Sequence, residues 1–159
     1  METLDLSGNH LSGTIPSCVS NFRKIEKFIL RENEFSGELP RGFLNIPTLQ
    51  YADFGGNMLT GSLDALFKSR SSRSSANTLN IFSVSDNMLT GEIPAEFSNF
   101  SAILRFTYNE LTGSLNNSFC DNNIVEVDCR EVNCTCCASC LTDSERKGSD
   151  EFSNDEKPK

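Results

Sequence analysis

The chain has 159 residues and a formal net charge of −8, with acidic and basic residues spread along it. A nucleic-acid-binding surface, which needs clustered basic residues, is therefore not expected, and the apolar runs are too short to span a bilayer. The chain has one histidine, His10, and no phosphate-binding loop, dinucleotide fingerprint or zinc-protease motif, so we expect neither an enzyme nor a bound cofactor or metal.

A short phrase recurs five times along the chain. It starts with Asn and has Leu or Phe two residues later and Gly four residues later: NHLSGTIP from Asn9, NEFSGELP from Asn33, NMLTGSLD from Asn57, NMLTGEIP from Asn87 and NELTGSLN from Asn109. Successive copies start 22 to 30 residues apart, and a fixed phrase at such a period is typical of a solenoid. The sequence therefore predicts one domain of stacked coils.

Each phrase is preceded by a predicted strand. The residues five and three positions before each Asn are apolar in every copy and alternate with variable, often polar residues, which indicates a strand with one buried face. These pairs are Leu4 and Leu6, Phe28 and Leu30, Ala52 and Phe54, Phe82 and Val84, and Leu104 and Phe106.

Two residues of the phrase are suited to the turns between strands. Asn has an acceptor and two donors, so the Asn column can bridge backbone groups of neighbouring coils, which are costly to bury unpaired. Gly suits a second bend where a side chain would clash or φ must be positive. The Gly column is Gly13, Gly37, Gly61, Gly91 and Gly113.

Residues 1–116 resemble the plant-type leucine-rich repeat family, whose consensus is LxxLxLxxNxLxGxIP. The resemblance implies a right-handed superhelix, either mainly β or of α/β type, with parallel strands on its concave face. It also implies a second short strand from the L-[ST]-G-x-[IL]-P part. The chain departs from the consensus at Asp64 and Asn116, where proline is usual, and at Ser101, where leucine is usual.

The chain opens directly on a coil, at Leu4 and Leu6, without a preceding cap. The first coil then has an open apolar edge. We expect upstream coils to cover this edge, the chain being either the C-terminal part of a longer solenoid or the product of a gene model that starts too late. The alternative is that a partner chain covers the edge in an end-to-end association. Cys18 in this coil is predicted to be buried as a small apolar residue; the alternative is pairing with an upstream cysteine.

The solvent-facing residues of the predicted strands vary from coil to coil, as expected for an irregular ligand. Tyr108 is taken as the one aromatic side chain among them, and aromatic and Arg side chains are enriched at binding hot spots. The serine-rich segment at residues 68–75 is predicted to be a flexible insertion. The candidate ligand-binding residues are Asp5, Ser7, Arg31, Glu32, Asp53, Ser85, Asp86, Arg105 and Tyr108.

Residues 117–140 change character and resemble the cysteine-rich caps of extracellular leucine-rich repeat proteins. They contain one predicted strand, with Val125 and Val127 facing inward, and six cysteines: Cys120, Cys129, Cys134, Cys136, Cys137 and Cys140. Three disulfides in an unknown pairing are expected. Zinc is the alternative, but paired C-x-x-C knuckles and a nearby histidine are missing. The tail, 141–159, is predicted to be disordered.

Three N-x-[ST] sequons support a secretory protein. They start at Asn99 and Asn116, which are predicted to lie on the outer flank, and at Asn133, which lies among the cysteines and is expected to be less accessible.

The resemblance implies a recognition module that binds a protein, peptide or glycan on the concave face of a secreted or cell-surface receptor-like protein. Any membrane anchor would lie outside this chain. One alternative is the sensor ectodomain of a receptor kinase. Another is a structural array for wall adhesion or ice binding, which would use the column Ser12, Ser36, Thr60, Thr90 and Thr112 and would need a second flat Thr column.

Overall fold

A computed structural model describes residues 2–67, 78–121 and 123–141 of the chain. The predicted insertion at 68–75 and the predicted tail beyond Leu141 lie outside these residues. Leu141 itself, which the sequence analysis placed in the tail, ends a strand.

The chain forms a mainly β solenoid in which each coil contributes one strand to each of two parallel sheets. This confirms the predicted fold class and the second short strand of each repeat. The first sheet contains, in spatial order, β1 (Glu2–Asp5), β3 (Ile25–Ile29), β5 (Tyr51–Asp53), β7 (Ile81–Ser83), β9 (Ile103–Arg105), β11 (Ile124–Asp128) and β13 (Ser139–Leu141). The second sheet contains β2 (Ser12–Thr14), β4 (Glu34–Glu38), β6 (Met58–Gly61), β8 (Met88–Glu92), β10 (Glu110–Leu115) and β12 (Val132–Cys134).

The side of each coil that follows the second sheet is formed by short helical turns. The 3-10 helices are Ser17–Asn21, Phe43–Asn45, Leu63–Leu66 and Ala95–Asn99, and the α-helix α1 is Asn117–Cys120.

The predicted apolar columns stack in register between these layers. Phe28 pairs with Ala52 of the next strand, and Phe82 pairs with Leu104; all four are buried. The first coil is less enclosed, since Leu4 is only half-buried. The core therefore runs as a continuous row along the axis of the solenoid.

A second apolar column, ten residues after each Asn, was missed by the sequence analysis. Its rings fill the space between the helical turns and the first sheet. Phe43 lies 5.2 Å from both Phe28 and Phe54, and Phe97 lies 5.2 Å from Phe106, measured between ring centroids. Edge-on and tilted ring pairs of this kind add to the stabilisation from burial. The column comprises Val19, Phe43, Phe67, Phe97 and Phe119.

The Asn side chains bridge neighbouring coils through their amide groups. Asn87 donates from Nδ2 to Val84 O of its own coil and to Phe54 O of the preceding coil, both at 3.0 Å. Its Oδ1 accepts from the Leu59 N–H of the preceding coil at 2.9 Å. Asn33, Asn57 and Asn109 make the same set of bonds. The side chain of Asn9, among the residues that the structure describes, bonds only within its own coil, where Nδ2 donates to Leu6 O and Ser7 O.

The Gly column meets both conditions that the sequence suggested. Gly61 has φ +83°, and a Cβ there would lie 2.9 Å from Glu38 Cγ. The other four members also have positive φ.

The cap contains more structure than the one predicted strand. Besides β11, in which Val125 and Val127 are buried as predicted, it contains α1, β12 and β13. Asn123, which no repeat pattern indicated, is buried on the side of the helical turns and joins backbone groups of two coils there. Its Oδ1 accepts from Ala102 N–H at 3.1 Å, and its Nδ2 donates to Phe119 O at 2.8 Å.

Disulfide bonding of the cap is confirmed. The bonds join Cys120 to Cys136 and Cys134 to Cys137, and Cys129 is also disulfide-bonded. The side chain of Cys140 lies outside what the structure describes.

Two expectations about accessibility were wrong. Cys18 is a free, exposed thiol, because the helical turn Ser17–Asn21 buries its neighbour Val19 instead. Asn133 is exposed, because on β12 its neighbour Val132 is buried and successive side chains of a strand point to opposite faces. Among the residues that the structure describes, no helix is long and apolar enough to cross a membrane.

The Asn bridges predict a large and position-dependent effect of truncation. Asn87→Ala leaves buried backbone groups of two coils unpaired, and should lower the free energy of unfolding by about 2–4 kcal/mol. Asn9→Ala, the matched control on the exposed first coil, should cost less than about 1 kcal/mol. Urea unfolding of the two variants checks this, and equal losses would contradict the bridging role.

Candidate functional site

The solvent-facing side of the first sheet, here called the first-sheet face, carries two adjacent columns of different chemistry. One column is largely apolar, with Tyr51, Ile81, Ile103 and Ile124 in register on successive strands. The next column is polar or charged from the third coil onward, with Asp53, Ser83, Arg105 and Glu126 in register. An apolar row thus runs beside a charged row across the strands.

A hollow of about 350 Å³ opens on this face where the strands end. It contains six of the nine predicted ligand-binding residues: Arg31, Glu32, Asp53, Ser85, Asp86 and Arg105. Tyr51, Gly55, Gly56 and Ser83 complete its lining, and none of these four was among the predicted ligand-binding residues. Asp5, Ser7 and Tyr108 lie outside the hollow.

The hollow lies where the third coil has glycine at two successive positions, Gly55 and Gly56. A Cβ at Gly55 would lie 3.1 Å from Asp53 Oδ1 and 3.2 Å from Ser85 O, closer than most real Cβ contacts. A side chain at Gly55 would therefore disturb the packing, and the third coil contributes only backbone to the lining at these two positions.

Several predicted strand residues lie instead in the turn after the strand. Glu32, Asp86 and Tyr108 have φ of 54°, 58° and 55°, the left-handed region that L-residues rarely adopt. Each occupies the position just before the Asn of its repeat. Backbone bonds between coils continue into this turn, as from Glu32 N–H to Gly55 O at 2.8 Å, so the side chains remain stacked beyond the strand ends.

Tyr51, not Tyr108, is the aromatic residue of a first-sheet strand. Its pKa is raised above the ordinary value by burial and then by the nearby Asp53 carboxylate, to which its hydroxyl donates at 3.4 Å. The phenol is therefore neutral at physiological pH and serves as a hydrogen-bonding apolar ring.

Asp53 is a buried carboxylate with only 4% of its surface exposed. Its Oδ1 accepts from Gly55 N–H at 2.9 Å, which fixes the start of the turn. Asp5 has the same role in the first coil, where Ser7 donates to Oδ1 from Oγ at 2.6 Å and from its N–H at 3.0 Å. These bonds lower the pKa of Asp5. Asp5 and Ser7 are thus engaged with each other.

Two arginines stand at the rim of the hollow, each oriented by one carboxylate. Arg105 Nε lies 3.0 Å from Glu126 Oε2, and Arg31 Nε lies 2.9 Å from Glu32 Oε1. The hydrogen bond to Glu32 raises the pKa of Arg31. Only Nε is used in each pair, and the terminal guanidinium nitrogens of both residues bond to no other group that the structure describes. They can still donate to a ligand carboxylate or carbonyl.

The sulfur atoms of Cys120, Cys134 and Cys137 lie within 4.8 Å of one another in the cap. All three are in disulfides, and a disulfide sulfur is not the thiolate that zinc requires.

The comparisons with known proteins concern the repeats. The family model described as Leucine Rich Repeat matches residues 1–22 and 78–100. Receptor-like protein 41 of Arabidopsis thaliana is 35% identical over 120 residues, a match that covers 72% of this chain and 13% of that protein. The chain thus spans about an eighth of the length of this relative.

Solved structures of plant receptors share the fold. The Arabidopsis receptor kinase HAESA, in complex with the peptide hormone IDA and the co-receptor SERK1, superposes with a TM-score of 0.66 at 22% identity, covering 79% of this chain and 22% of that one. The plant peptide hormone receptor RGFR1, in complex with RGF2, gives a TM-score of 0.64 at 28% identity, covering 79% of this chain and 21% of that one.

The contact between Tyr51 and Asp53 predicts a raised pKa for the Tyr51 phenol, and this pKa can be measured for Tyr51 alone. The chain has two tyrosines and no tryptophan, so a Tyr108→Phe variant reports Tyr51 alone by phenolate absorbance. Its pKa should exceed the ordinary tyrosine value, and Asp53→Asn should lower it. At pH values between the ordinary pKa of the unfolded chain and the raised pKa of the folded chain, Tyr51 keeps its proton in the folded chain and loses it in the unfolded chain. The free energy of unfolding therefore falls as pH rises through this interval.

Asp86→Asn, which changes another carboxylate of the same hollow, is the control for this titration and should leave the Tyr51 pKa nearly unchanged. An equal shift in both variants would contradict the specific contact between Tyr51 and Asp53.

Proposed function

Because this chain is a plant-type leucine-rich repeat protein, we propose that it is a ligand-binding segment of a receptor-like protein at the plant cell surface. The proposed ligand is an extended peptide or protein segment that lies across the strands of the first sheet. Similarity to plant receptor-like proteins and to a peptide-bound receptor ectodomain supports this class.

The observation that carries the proposal is the apolar column beside the charged column on the first-sheet face. An extended peptide presents alternate side chains to a surface, and it can place apolar residues over Ile81 and Ile103 while its polar groups reach Arg105. A face with one kind of chemistry would not fix the register of a peptide in this way.

The dimensions of the hollow suit a short peptide core. From β3, which leads to Arg31, to β9, which ends at Arg105, there are three strand spacings, or about 14 Å at about 4.8 Å each. An extended chain advances about 3.4 Å per residue, so about four ligand residues would cross this distance. The columns on β11 offer room for one or two more.

The charges of the hollow define the ligand further. Arg31 and Arg105 have unused guanidinium N–H groups, which form strong paired hydrogen bonds with carboxylates. Asp53 is nearly buried and committed to the turn, whereas Asp86 is exposed and available to a basic or amide group. The ligand that fits best carries an acidic group near one apolar side chain.

The cell-surface location is supported by the disulfides of the cap, because such bonds persist in oxidising compartments. The same first-sheet face would serve equally in a receptor-like protein and in the sensor domain of a receptor kinase. The sequence outside this chain distinguishes these two.

A repetitive-array function has less support. The hydroxyl column Ser12, Ser36, Thr60, Thr90 and Thr112 lies on the second sheet, mostly exposed. The neighbouring column is not a second flat Thr row, because it contains Glu38 and Glu92. Charged residues there interrupt the regular surface that ice binding would need.

Removal of Arg105 should weaken binding of peptides selected on this protein from a random displayed library. Arg105→Ala removes a charge-assisted hydrogen bond of about 1.5–3 kcal/mol, so affinity should fall about tenfold to a hundredfold. Arg41→Ala changes an exposed arginine away from the first-sheet face and is the matched control. Calorimetric titration of the selected peptides provides the measurement.

The same series can contradict the proposal. If selected peptides bind the Arg105→Ala and Arg41→Ala variants with equal affinity, or protect the second sheet from hydrogen exchange, the first-sheet face is not the binding face.

The apolar column gives an independent prediction. Ile103→Asn places a polar amide in the middle of the apolar row and should weaken the selected peptides about tenfold, because their apolar side chain loses its partner. Met88→Asn is the control, since Met88 is 45% exposed but lies on the second sheet; it should leave affinity unchanged. Comparable losses in both variants would show that the apolar column is not used.

A further inference from the structure

A groove of about 680 Å³ lies on the flank of the solenoid, away from the first-sheet face. This lateral groove lies between the ends of β8 and β10 and the helical turns that follow them. Its walls mix hydroxyl, carboxylate and apolar groups from Glu92, Ile93, Ser98, Ser114, Asn116 and Phe119. The mixed lining suits a sugar, which has polar edges and apolar faces.

Asn116, the first residue of the sequon Asn116–Asn117–Ser118, belongs to the lining of this groove. It is exposed and directly precedes α1. Ser118 Oγ donates to Asn116 Oδ1 at 2.6 Å, so the sequon hydroxyl already contacts the amide. Asn116 Nδ2 donates to no group that the structure describes, and it is the atom to which an N-linked sugar attaches.

The sequon at Asn133 has a different geometry. Asn133 lies within strand β12, and no hydrogen bond joins its amide to Thr135 in the described part of the chain. The strand pairs with β10, where Asn133 lies opposite Ser114, and Cys134 is disulfide-bonded to Cys137. Asn99 is exposed at the end of a helical turn, but it does not line the lateral groove.

We propose that Asn116 carries an N-linked glycan whose first N-acetylglucosamine lies in the lateral groove. Transfer forms the bond from Asn116 Nδ2 to C1 of the sugar and breaks the bond from C1 to the pyrophosphate oxygen of a lipid-linked oligosaccharide. The amide gives up one proton, and the lipid pyrophosphate leaves. The inference rests on the secretory location within the proposed function, and not on peptide binding.

The seated sugar would have partners on each side. Its acetamido and hydroxyl groups can bond with Ser98, Ser114 and Glu92, while its apolar face can lie against Ile93. The groove would then be filled by the protein's own glycan, and the first-sheet face would remain the open surface for a ligand.

Attachment of the glycan to Asn116 is tested on the full chain, which an added signal peptide directs into the secretory pathway of plant cells. Peptide mapping of the secreted, disulfide-bonded protein should find a glycan on Asn116. Ser118→Ala should remove this glycan while Asn116 is retained, and Ser118→Thr should restore it. An unmodified Asn116 in the folded, secreted protein would overturn the proposal.

Seating of the sugar is tested by hydrogen exchange. Protein trimmed by an endoglycosidase to one N-acetylglucosamine is compared with Asn116→Gln protein, which has no sugar there. Amides of Ala95–Asn99 and Asn117–Cys120 should exchange more slowly with the sugar present, and those of the distant turn Ser17–Asn21 should not change. Equal exchange at all three segments would show that the sugar projects into solvent.

The glycan and peptide experiments separate the two proposals. Peptide affinity is measured on the same trimmed protein; a glycosylated Asn116 without peptide binding would count against the proposed function and leave the glycan assignment intact.

Discussion

The structure depends on the satisfaction of buried backbone groups at one turn of each coil. This turn is inside the stack, where an N–H or C=O without a partner costs free energy. The Asn amide satisfies groups of its own coil and of the preceding coil at the same time, as Asn87 does with Val84 O, Phe54 O and Leu59 N–H. Each coil thereby sets the position of the next, and the apolar columns stack in register as a consequence.

The same constraint creates the candidate site. Because the turn is fixed by Asn and the backbone, the residues beside it can vary without loss of the fold. The position before Asn adopts the left-handed conformation whether it holds Gly56 or the larger Glu32 and Asp86. Where the third coil has Gly55 and Gly56, the neighbouring side chains surround a hollow. Variation that is neutral for the core therefore determines the shape and charge of the surface.

Much of the fold could be predicted from the sequence because the Asn, Gly and apolar columns repeat at fixed positions within the phrase. The second apolar column, which contains Phe43 and Phe97, was missed, since it lies in the variable segments between copies of the phrase. Asn123 was missed because it repeats no motif, although it bridges buried groups much as the repeated asparagines do. The pairing of Cys120 with Cys136 depends on how the cap folds, and spacing alone does not determine it.

The candidate site could be predicted only in part, because its residues stand at different distances from the repeated phrase. The exposed positions nearest the Asn, such as Arg31 and Asp86, could be read from the phrase, whereas Tyr51 lies at the far end of the strand and was overlooked. Tyr108 was assigned to a strand because periodicity does not reveal where a strand gives way to a turn of positive φ. The shape and charge of the first-sheet face thus depend both on backbone geometry that repeats in every coil and on side chains that do not repeat.

The shared amide network is tested most directly by the exchange of the asparagine side-chain amides, followed by nuclear magnetic resonance. We predict slow exchange of the Nδ2 protons of Asn33, Asn57, Asn87 and Asn109, which bond to two coils, and fast exchange of those of Asn9, which among the described residues bond within one coil. If all five exchange at the rate of a free amide, the coils are not joined in this way, and the account of both the fold and the binding face fails.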